Sequence, residues 1–154
     1  MNPTQSVPGN SPAAASVSAP DPSADERPVI AVVGPTGSGK SEFLRTFVGS
    51  LAAAHPPTLF TVLLIDFKGG SGLGPLAPLP HSVGLLTDFS AETVARALVS
   101  LRAEVRRREA LLAGAGADNL SAYNAGRRPA AGLPRLLVVV DEFRMLAEEV
   151  PSAL

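Results

Sequence analysis

An α/β fold, with parallel strands flanked by helices, is predicted by three observations. Short apolar runs recur at residues 29–33, 61–65 and 136–140. The stretches between them carry apolar residues at helical spacing. The first and third runs each end on residues with chemistry to offer, the glycines of 34–39 and the pair Asp141 and Glu142. Strands that alternate with helices must be joined by crossovers, which are right-handed and place helices on the faces of a parallel sheet.

The elements follow in order. Residues 1–28 hold six of the fifteen prolines, five alanines and five serines. With no apolar period to offset the entropy of ordering them, they read as a disordered tail or linker. Residues 29–154 read as the folded body. Val29, Ile30, Ala31, Val32 and Val33 form the first strand, which opens into a glycine-rich loop. Phe43, Leu44, Phe47, Val48 and Leu51 then mark one face of a helix that Pro56 and Pro57 must end. The second strand, 61–65, closes on Asp66, and a Gly- and Pro-rich loop runs to Pro80, long enough to suspect function. Ser82 to Leu86 reads as a short strand. Ser90 reads as the N-cap of the next helix, with Phe89 and Val94 as a hydrophobic staple. Val94, Leu98, Leu101, Val105 and Leu112 form its buried stripe, and Gly114 stops it. Leu136 to Val140 form the last strand, with Asp141 and Glu142 at its exit.

Composition bounds the function. The chain has 154 residues, is 45% apolar and 18% charged, and carries a formal charge of −1. That suffices for one core and excludes a global polycation of the nucleic-acid-binding kind. With no cysteine and two histidines, thiolate metal sites, disulfides and thiol nucleophiles are excluded. No apolar run approaches the roughly 18 residues a membrane span needs, and the first basic residue is Arg27, so no secretory leader is expected. The cytoplasm is the expected compartment, with any membrane association made through other regions or partners.

Gly34, Pro35, Thr36, Gly37, Ser38, Gly39, Lys40 and Ser41 read GPTGSGKS and match G-x-x-x-x-G-K-S/T at every fixed position, between a strand and a helix as the motif requires. Its glycines let consecutive N–H groups converge on phosphate oxygens, and the helix start adds its positive dipole end. Lys40 is the mobile charge for the β- and γ-phosphates, and Ser41 is a ligand for Mg²⁺. The plain alternative is a glycine turn with a surface lysine; the agreement of pattern and flanks favours nucleotide binding.

Asp141 is the second candidate Mg²⁺ holder and Glu142 the candidate general base. Both can serve one site only if the strand ends there and the chain turns, because successive strand residues face opposite ways. A helix N-terminus with acids in its first turn is the other reading of the pair. An Asp followed by Glu favours hydrolysis over kinase chemistry. A small kinase would also need an arginine-bearing lid, and none is recognisable. There is no N-K-x-D for guanine, so the expected cofactors are ATP and Mg²⁺.

Together, GPTGSGKSEFLRT (34–46), DFKGG (66–70), LPH (79–81), RRREALL (106–112), AYN (122–124) and VVVDEF (138–143) resemble the FtsK/SpoIIIE family over residues 29 to about 150. The SEFLRT and DFKGG segments most resemble the branch that includes type VII secretion motors, the EccC-like proteins. The resemblance implies a P-loop NTPase with a RecA-like parallel sheet, here incomplete at the C-terminus. It also implies a homo-oligomeric, hexameric ring in which a neighbour supplies an arginine, with protein or double-stranded DNA as cargo. The sensor strand it implies would insert between strand one and the Asp141 strand; it falls after this stretch, so the sheet is expected to have an open slot and the chain to be part of a longer polypeptide. Relatives commonly place an aromatic after DFKGG where this chain has Ser71, Gly72, Leu73, Gly74, Pro75.

For Asp66 and Lys68, at the carboxyl end of strand two, plain loop structure is favoured over a site-supporting role. Arg106, Arg107 and Arg108 fan over about 200° of a helix, with Glu104 and Glu109 nearby, and read as a solvated or subunit-facing surface. His81 and Tyr123 read as structural. Two functions from different classes follow: a motor ATPase that hydrolyses Mg·ATP with Lys40 and Glu142, and a nucleotide-gated interaction module or inactive fragment that binds ATP without productive hydrolysis.

Overall fold

The structure, a computed structural model, describes residues 16–17, 30–35, 37–87, 90–128 and 131–143. The chain divides into two compact units, residues 1–40 and 41–154.

In the first unit β1 (Ser16–Val17) and β2 (Val32–Val33) pair antiparallel, Ser16 opposite Val33 and Val17 opposite Val32. This corrects one expectation. The run 29–33 reads as a strand of the parallel sheet, yet its extended part is two residues long and its ladder partner is β1. Backbone N–H and C=O groups must find partners, and among the described residues only β1 supplies them in a ladder. Val33 is 62% exposed, so β2 lacks the two-sided burial of a central parallel strand. Ser16 and Val17 belong to the segment read as a tail; the rest of residues 1–28 lies outside the described residues.

Helix α1 (Lys40–Ala54) starts on the last residue of that unit and continues into the second. There β3 (Phe60–Asp66), β4 (Ser82–Leu86) and β5 (Arg135–Asp141) form a parallel sheet in the order β4-β3-β5. Helices α2 (Ala91–Gly114) and α3 (Leu120–Asn124) lie between β4 and β5 in sequence. The ladder of β3 with β5 is unbroken from Phe60 opposite Arg135 to Asp66 opposite Asp141. With β4 it slips one residue after Val62, which leaves Val83 out of the ladder and exposed.

Burial alternates along β3: Phe60, Val62, Leu64 and Asp66 are buried, while Thr61, Leu63 and Ile65 are half-buried. Val62 and Leu64 meet Val48, Leu44 and Phe47 of α1 together with Val139, so this face is the tighter core. The register puts Val139 beside Leu64 and Asp141 beside Asp66, so both acids end strands on the α1 side of the sheet. The other face is less closed: a cavity of about 580 Å³ lies between the sheet (Thr61, Leu63, Leu136) and α2 (Ala97, Leu101). On α1, Phe43 departs from the expected buried stripe; it is 43% exposed and stacks on Phe47 at 6.1 Å.

Helix α2 starts and stops where its sequence says. The Ser90 hydroxyl accepts from Thr93 N, and Gly114 is the last helical residue. Phe89, the other half of the expected staple, lies outside the described residues. Asn124, at the end of α3, acts as a two-bond clamp: its amide donates to Leu133 O (2.9 Å) and its carbonyl accepts from Leu133 N (2.8 Å), fixing the approach to β5. His81 is buried, stacks on Phe60 and hydrogen-bonds His55 O at 2.7 Å through Nε2.

Two of the three arginines of the 106–108 run are tied down. Glu104 accepts from both Arg107 and Arg108, and Arg108 also donates to Pro134 O (2.6 Å), linking α2 to the start of β5. Hydrogen bonding from Arg107, then Arg108, outweighs burial and holds the Glu104 carboxyl at about 2, against an ordinary 4.5. A depressed carboxylate contributes stability that is fully present above its unfolded value and lost as pH falls through the folded one. Glu104→Gln should therefore cost about 1 kcal/mol at pH 7, after allowance for solvent screening. Urea unfolding should show that gap closing between pH 4.5 and about 2. A gap unchanged at pH 2 would deny the cluster this role.

Candidate functional site

The glycine loop lies in the first unit. Gly37 and Gly39 have φ of 81° and 85°, left-handed values that favour glycine, and a Cβ built at either would meet nothing within 4 Å. Ser38 N closes a turn on Pro35 O at 3.2 Å. At Gly34 the space is tighter: a Cβ there would lie 2.7 Å from Ser38 Oγ, so the Ser38 side chain would have to move. The Lys40 ammonium folds back onto the loop and donates to Gly34 O (2.7 Å) and Pro35 O (2.9 Å). A cation thus rests on the loop's own carbonyls. Thr36 lies outside the described residues.

In the second unit Ser41 Oγ donates to Asp141 Oδ2 at 2.6 Å, across 100 positions of sequence. Asp141 is 2% exposed. Beside it Asp66, 0% exposed, accepts from Lys68 N at Oδ1 (2.9 Å) and from Gly72 N and Leu73 N at Oδ2 (both 2.8 Å). One carboxylate thereby folds the loop after β3 back over the strand ends. Gly72 is pressed so close that a Cβ would lie 2.6 Å from Asp141 Oδ2 and 3.5 Å from Ser41 Cβ. Asp66 is thus a loop organiser, and the loop it holds brings Gly72 against Asp141.

β5 ends on Asp141, and Glu142 turns the chain with φ of 60°, unusual outside glycine. Its N–H returns to Asp141 Oδ1 at 3.0 Å. Its carboxylate lies against Lys68, with Nζ 2.5 Å from Oε1. The hydrogen bond to Glu142 raises the Lys68 ammonium above the ordinary lysine value; burial opposes this, and the charges of Glu142, Asp141 and Asp66 add to it.

The donor set fits the expected ligands. Ser41 and Asp141 present hard oxygens of the kind Mg²⁺ takes, and it commonly keeps waters and phosphate oxygens as its other ligands. Among the described residues there is no group of three or more His, Cys, Asp or Glu that could hold a metal ion. The glycine loop leaves open space where side chains would otherwise crowd a phosphate.

A family model for FtsK/SpoIIIE matches residues 17–149. The chain belongs to the FtsK/SpoIIIE family. Within it, the chain is 40% identical over 129 residues to the ESX-5 secretion system protein EccC5 of Mycobacterium marinum, covering 78% of this chain and 9% of that protein. Among solved structures, EssC (ATPases 2 and 3) from Geobacillus thermodenitrificans superposes with a TM-score of 0.68 at 28% identity, over 78% of this chain and 22% of that one. The pCW3 conjugation coupling protein TcpA, solved as a monomer with ATPγS, gives 0.56 at 27% identity, over 78% and 34%. The EssC neighbours fit a RecA-like P-loop fold. The chain spans about a tenth of the EccC5 relative's length.

For this FtsK/SpoIIIE member, the sequence underrated the second strand's exit. Gly72 and Lys68 touch the acids at 141 and 142. Only the doubled glycines at 69–70, with φ of 68° and 84°, signal that the chain must fold back there.

Proposed function

We propose that residues 29–154 form the nucleotide-binding part of a motor ATPase that couples Mg·ATP hydrolysis to translocation, with residues 1–28 a linker. The observation that carries this is the Ser41–Asp141 contact, which joins the last residue of the glycine motif to the end of β5. Residues 34–41 would hold the triphosphate, with Lys40 leaving its loop carbonyls for phosphate oxygens. Ser41 and Asp141 would hold Mg²⁺. The bound metal would supply charge neutralisation at the β- and γ-phosphate oxygens. Glu142 would accept the proton of the attacking water, a role that the end of β5 at Asp141 and the turn at Glu142 support.

Assembly as a ring, with an arginine from the neighbour, belongs to this proposal. The cargo we favour is a secreted protein, on the strength of the type VII relatives, with double-stranded DNA the alternative. No helix among the described residues is long and apolar enough to cross a membrane. We place the domain in the cytoplasm, joined to a membrane through partners or other regions. The other reading is an interaction module that nucleotide gates and in which hydrolysis is incidental.

Calorimetry of the full-length protein with ATP tests the first reading. Nucleotide uptake that falls at least about ten-fold with EDTA, and loss of one nucleotide site per chain in Lys40→Ala, are expected. Metal-independent uptake, or none, would sink it.

A further inference from the structure

We propose that Asp66 is a positioning residue that fixes the Asp141 carboxylate for a small divalent cation, an inference that rests on the ATPase reading above. Three observations carry it. Asp66 is 0% exposed, and both of its oxygens are taken by backbone amides, Lys68 N at Oδ1 (2.9 Å) and Gly72 N and Leu73 N at Oδ2 (2.8 Å each). A carboxylate so enclosed and so fully used holds chain rather than metal. The second is where that chain is held. A Cβ on Gly72 would lie 2.6 Å from Asp141 Oδ2 and 3.3 Å from Asp66 Oδ2, so the bonds to Asp66 set backbone against the same oxygen that meets Ser41. The third is the hold on Asp141 itself. Its Oδ1 accepts from Glu142 N (3.0 Å) and its Oδ2 from Ser41 Oγ (2.6 Å), and Gly72 closes a further side.

Cation size makes this hold matter. Mg²⁺ takes ligands at about 2.0–2.1 Å in near-ideal octahedral geometry, whereas Ca²⁺ accepts about 2.3–2.6 Å and irregular arrangements. A carboxylate confined on three sides offers its oxygen at one place, which favours the stricter cation. Freed of Gly72, Asp141 gains room to turn, and the ion with looser demands loses less. Asp66 thus acts on the metal through Gly72 and Asp141 without touching it. A direct pull of its charge on the cation is the rival route, and asparagine separates the two. Its one carbonyl oxygen, turned toward Gly72 N and Leu73 N, keeps the backbone in place while the charge and the Lys68 bond are lost.

The test measures binding of a fluorescent ATP analogue to the full-length protein with saturating Mg²⁺ or Ca²⁺, alongside thermal melts. The signal of this site is the part that Lys40→Ala removes. Asp66→Ala should weaken the Mg²⁺ complex at least about ten-fold and the Ca²⁺ complex no more than about three-fold, while Asp66→Asn stays within about three-fold of the parent with either ion. Equal losses with both ions in Asp66→Ala, an Asn variant as weak as the Ala one, or no loss in either overturns the positioning role. If Asp66→Ala melts too low to measure, Gly72→Ala takes its place. That variant disturbs Asp141 and keeps the Asp66 charge, so the same Mg²⁺-selective loss is expected and parallel losses overturn the proposal. All of these outcomes leave the ATPase reading standing, since the parent still binds Mg·ATP. A parent that takes up no Mg·ATP at this site overturns both.

Discussion

Replacing Glu142 by Gln is expected to leave Mg·ATP affinity within about two-fold of the parent while lowering the hydrolysis rate by roughly two to four orders of magnitude, the range general-base catalysis supplies. The change keeps size and shape and removes the proton-accepting lone pair. It leaves the backbone bond from Glu142 N to Asp141 Oδ1 in place, so the turn survives. The lost ion pair with Lys68 is partly exposed on both sides and costs little stability. Phosphate release at saturating ATP, set beside calorimetric affinity, separates chemistry from binding. A Gln variant that turns over like the parent would remove Glu142 from the mechanism. A parent with no turnover of its own would favour the gated docking module.

Gly72→Ala is expected to weaken metal-dependent nucleotide binding by about ten-fold or more and to cost about 2 kcal/mol of stability. The added carbon would meet Asp141 Oδ2 at 2.6 Å and Asp66 Oδ2 at 3.3 Å. Both are short side chains at most 2% exposed, with no long flexible end to yield. Relief requires either moving Asp141 off Ser41 or pulling the Gly72 and Leu73 amides from Asp66, which would strand a buried carboxylate. Gly74→Ala is the control, since a carbon there meets nothing within 4 Å. Magnesium titrations with a fluorescent nucleotide, alongside thermal melts, give both numbers. Equal behaviour of the two variants would show that the close approach at Gly72 does not matter to binding.

Much of this was legible beforehand because local rules and tertiary context agreed. The Ser90 cap, the Gly114 stop and the 82–86 strand all follow from nearest-neighbour chemistry, while of the expected α2 stripe only Val94 is buried and the other four residues are half-buried. The glycine motif announced its loop, and Asp141 its strand end. What stayed hidden depends on residues distant in sequence. The partner of β2 could not be read from five apolar residues, because a buried strand pattern does not say which edge satisfies its backbone. Phe43 fits the helical stripe by spacing, yet stacks on its neighbour at the surface. Lys68 looks like any loop lysine until β3 and β5 are set in register and Glu142 turns toward it. Gly72 carries no pattern, since steric need is invisible until the Asp141 carboxylate is set against it.

Asp66 accepts three amide protons from the segment that follows it, directly across the ladder from Asp141. All three amides belong to residues 68–73, so one carboxylate lashes that segment to the tip of its own strand, and whatever displaces β3 carries the segment along with it.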